Sequence, residues 1–232
     1  MNEVNLSTPR SLGQIFDLVV VSHLRRPVLF LTMALSVVAP YTLIVLAATG
    51  ATPLGESHVR AETILLIDIV SFALVGPLVS VLHVHALALI GEGTRPSFAA
   101  VYRPALKVLP VAAAAQIVAG IGIGAGIVVF IIPGLILAVR LAVVAQVAAM
   151  QRTDWMGALR GSFELTRSNG WHVFGALLVA GVFEFALAAA AEAVAGSHTH
   201  VQQVVLAIVV GTIGQSFTAM TAAVLYFDLR AR

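Results

Sequence analysis

The chain has 232 residues, of which 59% are hydrophobic and 10% charged, with a mean hydropathy of +1.00 and a formal net charge of +2. Soluble domains are about 45–50% apolar and about 25% charged, so this composition excludes a water-soluble globular fold. The apolar runs are continuous and about twenty residues long, which is typical of membrane-spanning helices rather than of β-barrel strands. The absence of cysteine excludes disulfides and thiolate metal sites.

Six stretches are long and apolar enough to cross about 30 Å of hydrocarbon. In chain order they lie at 28–49, 64–90, 108–130, 132–150, 173–195 and 201–227. No polar linker divides them into two groups. We therefore expect an all-α integral membrane protein with six transmembrane helices, in a single polytopic domain that covers residues 1–232.

The third and fourth spans are separated only by the tetrapeptide at 131–134, which contains Pro133. A proline can begin a helix but cannot continue one without losing a hydrogen bond. The sequence therefore predicts a tight turn here, and one re-entrant unit is the alternative. The third span also contains two overlapping Gly-x-x-x-Gly pairs, a pattern that lets helices approach closely within one chain or across a dimer. Its members are Gly120, Gly122, Gly124 and Gly126.

The basic residues predict the orientation of the chain. With six spans both ends share a side, and that side carries eleven of the thirteen Lys and Arg residues, namely Arg10, Arg25, Arg26, Arg95, Arg103, Lys107, Arg152, Arg160, Arg167, Arg230 and Arg232. The other side carries Arg60, and Arg140 lies within the fourth span. Because basic residues accumulate on the cytoplasmic side, we expect a multi-pass protein of the bacterial cytoplasmic (inner) membrane with both termini in the cytoplasm.

Polar, amphipathic segments precede the first, third and fifth spans, which indicates three units of an in-plane helix followed by a helical hairpin. In the last segment apolar residues recur every four positions opposite a basic face. This pattern suits a helix lying in the membrane interface, and a helix packed on the ends of the spans is the alternative. The residues concerned are Trp155, Leu159, Arg160, Phe163 and Arg167, with Trp171 at the junction with the fifth span.

Among the ionisable residues within predicted spans three stand out, Asp68, Arg140 and Glu184, because a charge costs about 2.5–3.5 kcal/mol at the bilayer centre. Arg140 and Glu184 both come out roughly at mid-depth when residues are counted from the span ends. The two residues are therefore candidates for an ion pair that fixes helix register. The alternatives are an Arg140 side chain that reaches the cytoplasmic interface, and a functional site at Arg140, namely a polar path, a proton relay or a lipid-headgroup site. Asp68 lies near the outer end of the second span and can meet water. Further polar groups within spans are Gln116, Gln146 and Gln215.

No catalytic constellation is found in the sequence. There is no phosphate-binding loop, no Ser-His-Asp set and no usable carboxylate pair, so we expect a protein that is not an enzyme and has no cofactor. His83 and His85 are two residues apart on a helix and point to different faces. His58, His198 and His200 lie in outer loops, but no zinc pattern accompanies them, so no metal site is predicted.

A resemblance to a known family rests on three stretches: "IPGLILAVRLAVVAQVAAM", "ALRGSFELTRSNGWHVFGALLV" and the ending "VLYFDLRAR". Together they resemble the membrane domain associated with bacterial glycerophosphoryl diester phosphodiesterases and the related stand-alone, YciC-like six-span proteins. The matching positions are Ala158, Leu159, Ser162, Phe163, Leu165, Thr166, Trp171, Phe174 and Gly175. The resemblance implies a membrane fold and location, but not catalysis, because that activity belongs to a separate soluble barrel.

These observations favour a non-catalytic membrane protein that acts as a scaffold or in lipid handling. Its cytoplasmic basic residues would contact anionic headgroups, each worth about 1 kcal/mol near the surface. A protein partner or a homo-oligomer is compatible with this function, and nucleic acid is not expected. The alternative is a small transporter or channel with a polar path around Arg140 and Glu184, to which Asp68 and Gln215 would contribute.

Overall fold

A computed structural model describes residues 5–50, 59–195 and 199–232. All regular structure in these ranges is helical. The α-helices are α1 (Leu12–Arg25), α2 (Pro27–Thr49), α3 (Ala61–Val70), α4 (Gly76–Gly91), α5 (Phe98–Val129), α6 (Ile131–Arg140), α7 (Val144–Gln151), α8 (Trp155–Thr166), α9 (Gly170–Ala195) and α10 (His200–Ala231). A π-helical turn, Ser71–Val75, joins α3 to α4.

Six helical stretches within the described residues are long and apolar enough to cross a membrane, which confirms the predicted all-α fold. Three of them are the single helices α2, α9 and α10, and a fourth is the long helix α5. The other two are composite: α3 and α4 together span Ala61–Gly91, and α6 and α7 together span Ile131–Gln151. The predicted spans therefore correspond one to one with the observed ones.

The segment before the third span differs from the prediction. Residues 98–107 are not a separate in-plane helix, because α5 runs without interruption from Phe98 to Val129 and includes Pro104 and Pro110. A proline inside a helix removes one hydrogen bond and bends the axis, and packing on neighbouring helices can hold the helix together. Among the described residues, separate helices precede the first and fifth spans but not the third, so the threefold pattern is incomplete.

The N-terminal segment and the end of α10 meet at a buried carboxylate. Asp228 is 0% exposed, and it accepts hydrogen bonds from the backbone N–H of Arg10 and from Nε of Arg232, the latter at 2.9 Å. Its Oδ2 lies 3.0 Å from Nε2 of His172, at the start of α9. Both described chain ends therefore lie at the same end of the bundle, which we call the termini end.

Small residues form much of the core on α5 and α7, whereas α4 and α10 contribute larger side chains such as Leu82 and Tyr226. All residues from Val144 to Ala149 on α7 are buried, as are Ala112, Ala115 and Ala119 on α5. Small side chains let helix backbones approach closely, which is the principal means of packing when lipid surrounds the helices. The core thus forms around α7, the second half of the fourth span.

A tight turn separates the third and fourth spans, but it lies at Phe130 rather than at 131–134, which form the start of α6. Phe130 is extended, with φ −155° and ψ 134°, and it separates the end of α5 from the start of α6. A Cβ atom added to Gly126 would lie 2.8 Å from the Cα atom of Gly134, so the two helices touch through glycine. The chain therefore reverses at Phe130, and α6 packs back along α5.

Two of the four glycines in the α5 pattern pack closely against another part of the described chain. Gly126 contacts α6, and a Cβ atom added to Gly120 would lie 2.5 Å from the Phe72 ring. The prediction that Gly122 and Gly124 are packing positions is wrong within the described chain, because an added Cβ atom at either meets nothing within 4 Å. Each Gly-x-x-x-Gly pair therefore has one packed and one open member, since α6 and the π-helical turn approach α5 at different heights.

Candidate functional site

The fourth span is interrupted between α6 and α7, and side chains of α8 form hydrogen bonds with the backbone groups at this break. The helical hydrogen-bond pattern stops after Arg140 and resumes at Val144. Ser162 Oγ donates to the carbonyl of Arg140 at 2.9 Å and accepts from the N–H of Val143 at 3.3 Å. Thr166 Oγ1 donates to the same carbonyl at 3.1 Å. Backbone groups freed inside a membrane protein must find such partners, and here two side chains of α8 supply them.

The Arg140 side chain is also held by α8. Its Nη1 donates to the backbone carbonyl of Thr166 at 2.8 Å, and its guanidinium lies 5.3 Å from the centre of the Phe163 ring. A cation over an aromatic face gains about 0.5–2 kcal/mol, depending on desolvation. In the part of the chain that the structure describes, no carboxylate lies within 4.0 Å of this guanidinium. Most of its five N–H donors therefore remain available.

The predicted ion pair between Arg140 and Glu184 is wrong. Arg140 lies beside Trp171 and Phe174 in the first turns of α9. Glu184 is ten residues beyond Phe174 on the same helix, which is about 15 Å at 1.5 Å per residue. The prediction counted residues along a continuous fourth span, whereas the break and the docking of α8 hold Arg140 near the start of α9. The proposed polar path through both residues is therefore not formed.

Helix α8 packs on the spans with a different face from the one predicted. Its buried positions are Ala158, Ser162 and Thr166, which recur every four residues and contact the fourth span. Trp155 and Phe163 stay 40% and 44% exposed. Small residues allow close approach to α7, so the large apolar side chains point away from it. The two interpretations of this helix are thus combined: one face packs on the spans, and the other is free to meet the membrane interface.

The remaining predicted residues of this region occupy different surroundings. Leu159 is partly buried and packs against the core. Arg160 is exposed, and its Nη2 donates to Met156 Sδ at 3.3 Å on the surface of α8. Arg167 and Trp171 are exposed and lie close to Arg140.

Arg140, Arg167 and Trp171 line one end of an apolar groove between α6 and α9. We call this cavity of about 580 Å³ the Arg140 groove. Its other lining residues are Ile132, Leu135, Ile136, Val139, Ser168, Gly170 and Phe174. Ile132 and Trp171 are 71% and 86% exposed, so the groove opens at the side of the bundle. It joins two positive charges to a long apolar surface.

A second cavity, of about 320 Å³, lies inside the bundle, and we call it the central cavity. Its polar lining residues come from five helices and are Ser80, Gln116, Gln146, Glu184, Gln215, Thr218 and Thr221. The prediction singled out the glutamines and Glu184 as separate polar groups. The structure brings all four together, with Phe72, Gly76 and Pro77 of the π-helical turn and α4 in the same wall.

Asp68 does not belong to the central cavity. It is exposed on α3, in agreement with the expectation that it can meet water. The neighbouring carbonyl of Ile67 accepts a hydrogen bond from Tyr41 Oη at 2.5 Å, which ties α3 to α2. Of the four intramembrane candidates, only Glu184 and Gln215 share a site.

A third cavity, of about 730 Å³, carries the basic residues of the α4–α5 region, and we call it the basic crevice. Its charged and titratable lining residues are His85, Glu92, Arg103, Lys107 and Arg152. Arg152 has a left-handed backbone with φ 49°, which is uncommon for a residue other than glycine. The charge count predicted these cations for one side of the membrane, but their convergence depends on how α4, α5 and α7 pack.

Two histidines contact one serine, an arrangement that the sequence analysis missed. Ser216 Oγ lies 2.9 Å from Nε2 of His23 and 2.9 Å from Nε2 of His83. The Nδ1 atoms face the carbonyls of Val19 and Val79, at 2.9 and 2.8 Å. Burial lowers the pKa of His23 from its ordinary value. This cluster joins α1, α4 and α10, and its only sequence signal is a histidine on an apolar helix face.

Six candidate spans define the class as a helical, multi-pass membrane protein, and its described residues form an amphipathic groove, a polar cavity and a basic crevice. Within the described residues no group of three or more His, Asp or Glu side chains is placed to hold a metal ion. His58 and His198, considered as loop ligands, lie outside those residues. No family model, curated protein or solved structure matches the chain.

Proposed function

We propose that this is a non-catalytic lipid-handling protein of the bacterial inner membrane that binds an anionic phospholipid in the Arg140 groove. The observation that supports this function best is the position of two arginines at one end of an apolar, laterally open groove. Within the described chain neither guanidinium lies within 4.0 Å of a carboxylate. A phosphate group with acyl chains is complementary to both features.

The chemistry of the groove fits a phospholipid in detail. Guanidinium groups bind phosphate oxygens through paired, charge-assisted hydrogen bonds, and Arg167 is exposed and free to adjust. Ile132, Leu135 and Ile136 offer an acyl chain the apolar surface of α6. Trp171 packs edge-on against Phe174 at the start of α9, and tryptophan is enriched at the level of lipid headgroups.

The basic crevice supports the proposed cytoplasmic orientation of the termini end. Arg103, Lys107 and Arg152 are exposed around it, and no carboxylate of the described residues lies within 4.0 Å of any of them. Each such cation adds about 1 kcal/mol of attraction to an anionic leaflet. The crevice would therefore hold this end of the bundle at the negatively charged cytoplasmic surface.

Native mass spectrometry of the purified protein tests the proposal. The wild type should retain phosphatidylglycerol in preference to phosphatidylcholine. Arg167→Gln should weaken phosphatidylglycerol retention by about tenfold or more, because a hydrogen bond to a charged group contributes about 1.5–3 kcal/mol. Arg160→Gln is the matched control, since it removes the same charge from α8 outside the groove.

Equal retention in wild type and Arg167→Gln would contradict the proposal. Competition with inorganic phosphate separates recognition of the headgroup alone from recognition of the whole lipid, because only a whole lipid also occupies the apolar part of the groove. A soluble protein or a second copy that co-purifies stoichiometrically, without bound phospholipid, would favour a scaffold instead.

The central cavity favours a second candidate function, a small transporter or channel. Its polar path would contain Glu184 and Gln215, but not Arg140, which lines a different cavity. Reconstituted liposomes carrying an ion gradient test this candidate through flux across the bilayer. Flux that Glu184→Gln abolishes would support it, and wild-type liposomes as tight as empty ones would exclude it.

A further inference from the structure

Glu184 is a carboxyl group inside the bundle with no basic partner. It is half-buried in the wall of the central cavity, and within the described chain no Lys, Arg or His side chain lies within 4.0 Å of it. Gly214 leaves room for it on α10, because a Cβ atom added there would lie 3.7 Å from Glu184 Oε1. A lone carboxylate within a membrane span is costly unless a cation or a proton neutralises it.

The rest of the polar lining is rich in oxygen. Gln146 is 1% exposed and forms no hydrogen bond with any described residue, although its carboxamide has two acceptor lone pairs and two donors. The Thr218 hydroxyl is buried and also has no hydrogen-bond partner there. Buried polar groups are normally satisfied, so the unpartnered Thr218 hydroxyl, in the same wall as the Gln146 carboxamide, points to a ligand in the cavity.

The backbone at the cavity wall is also loosened. The π-helical turn Ser71–Val75 precedes Gly76 and Pro77, and Gly76 donates its N–H to the carbonyl of Ser71. Pro77 has no N–H, so one carbonyl in this turn lacks its helical donor. Single π-helical turns occur frequently at functional sites, and loosened backbone carbonyls coordinate cations in membrane transporters.

The charge of the lining residues indicates which kind of ligand the central cavity would bind. Oxygen atoms from carboxylate, carboxamide, hydroxyl and carbonyl groups are ligands for hard cations. The central cavity contains a single carboxylate among its described lining residues, and this one negative charge balances one positive charge. A divalent ion would leave a positive charge uncompensated in a medium of low dielectric constant, which is expensive.

We propose that the central cavity binds a monovalent metal cation of the sodium type, with Glu184 as its charged ligand and Gln146 and Thr218 as neutral oxygen ligands. This inference is independent of lipid binding in the Arg140 groove. The proposal requires only that the central cavity binds the cation, and it does not depend on transport of the ion across the membrane.

Thermal unfolding of the purified protein in detergent tests the site. The midpoint should be higher in sodium chloride than in choline chloride of equal ionic strength, because a ligand that binds only the folded state stabilises it. Retention of radioactive sodium by the purified protein measures binding directly and does not depend on stability.

Two variants and one control complete the test. Glu184→Gln and Gln146→Leu should each abolish the sodium-dependent shift and reduce sodium retention by about tenfold or more. Glu192→Gln should retain both, because Glu192 is exposed on the same helix outside the cavity. Equal midpoints of the wild type in the two salts, with no retained sodium, would overturn the proposal. Loss of sodium binding in Glu184→Gln and Gln146→Leu, with unchanged lipid retention, would show that the cation site and the lipid site are separate.

Discussion

Ser162 Oγ donates a hydrogen bond of 2.9 Å to the backbone carbonyl of Arg140, across 22 residues of sequence. The same hydroxyl accepts from the N–H of Val143, so one side chain bridges both sides of the break in the fourth span. Thr166 reinforces the bridge and presents its own carbonyl to the Arg140 guanidinium. The position of the arginine and the docking of α8 therefore depend on each other.

Replacement of the bridging hydroxyl should be costly. Ser162→Ala leaves the buried N–H of Val143 without this partner, and we expect a loss of about 1–3 kcal/mol in the free energy of unfolding. Equilibrium unfolding in detergent micelles measures the loss. Ser168→Ala should change stability by less than about 0.5 kcal/mol, because Ser168 is exposed and contacts the Asn169 amide at the surface. Equal effects of the two variants would argue against the bridge.

The hairpin between α5 and α6 should tolerate no side chain at its contact. A Cβ atom added to Gly134 would lie 2.5 Å from the backbone nitrogen of Ile127, so Gly134→Ala should lower the melting temperature and separate the helices. Gly124→Ala should be neutral or stabilising by about 0.5–1 kcal/mol, because this helical glycine has open space around it. Thermal unfolding should therefore give a lower melting temperature for Gly134→Ala than for Gly124→Ala. The reverse order would contradict the packing.

Arg140 and Glu184 should behave as independent residues. Because they line different cavities, the destabilisation by Arg140→Gln and by Glu184→Gln should add in the double variant, with a coupling energy within about 0.5 kcal/mol of zero. A double-mutant cycle of unfolding free energies measures this coupling. If the double variant instead recovered most of the lost stability, the two side chains would form the ion pair after all.

Stability should fall in mild acid because of His23. Burial lowers the pKa of His23 below 6.5, so just below that pH the unfolded chain binds a proton that the folded chain does not. The contribution of neutral His23 is complete above pH 6.5 and is lost as the pH falls toward its folded-state pKa. His23→Gln should flatten the stability-versus-pH curve in this window. An unchanged slope in His23→Gln would refute the assignment.

The number of spans could be predicted from the sequence because hydrophobic length is a local property of each segment. The break after Arg140 could not, since Leu141, Ala142 and Val143 carry no proline or glycine to mark it. Its cause lies in Ser162 and Thr166, about twenty residues later, and becomes visible only when α8 is docked. A continuous helix was the reasonable expectation, and it led directly to the wrong partner for Arg140.

The grouping of polar residues in the central cavity could not be predicted from the sequence either. Gln116, Gln146 and Gln215 could each be recognised as polar positions within a span. Which of them face one another depends on the neighbour relations of α5, α7 and α10, and no local pattern encodes those relations. The exposed position of Asp68 was predictable because it required only a distance from the end of its own span.

The contact between Asp228 and Arg10 has a consequence for biogenesis. The two residues are 218 positions apart, and the carbonyl of Arg10 also accepts a hydrogen bond from Arg232. During synthesis α1 leaves the ribosome early, yet its anchoring carboxylate is translated after nearly all of the described chain. The contacts of α1 with α2 and α9 can therefore form earlier, whereas the hydrogen bonds that fasten the N-terminal segment to Asp228 form only after α10 has been synthesised.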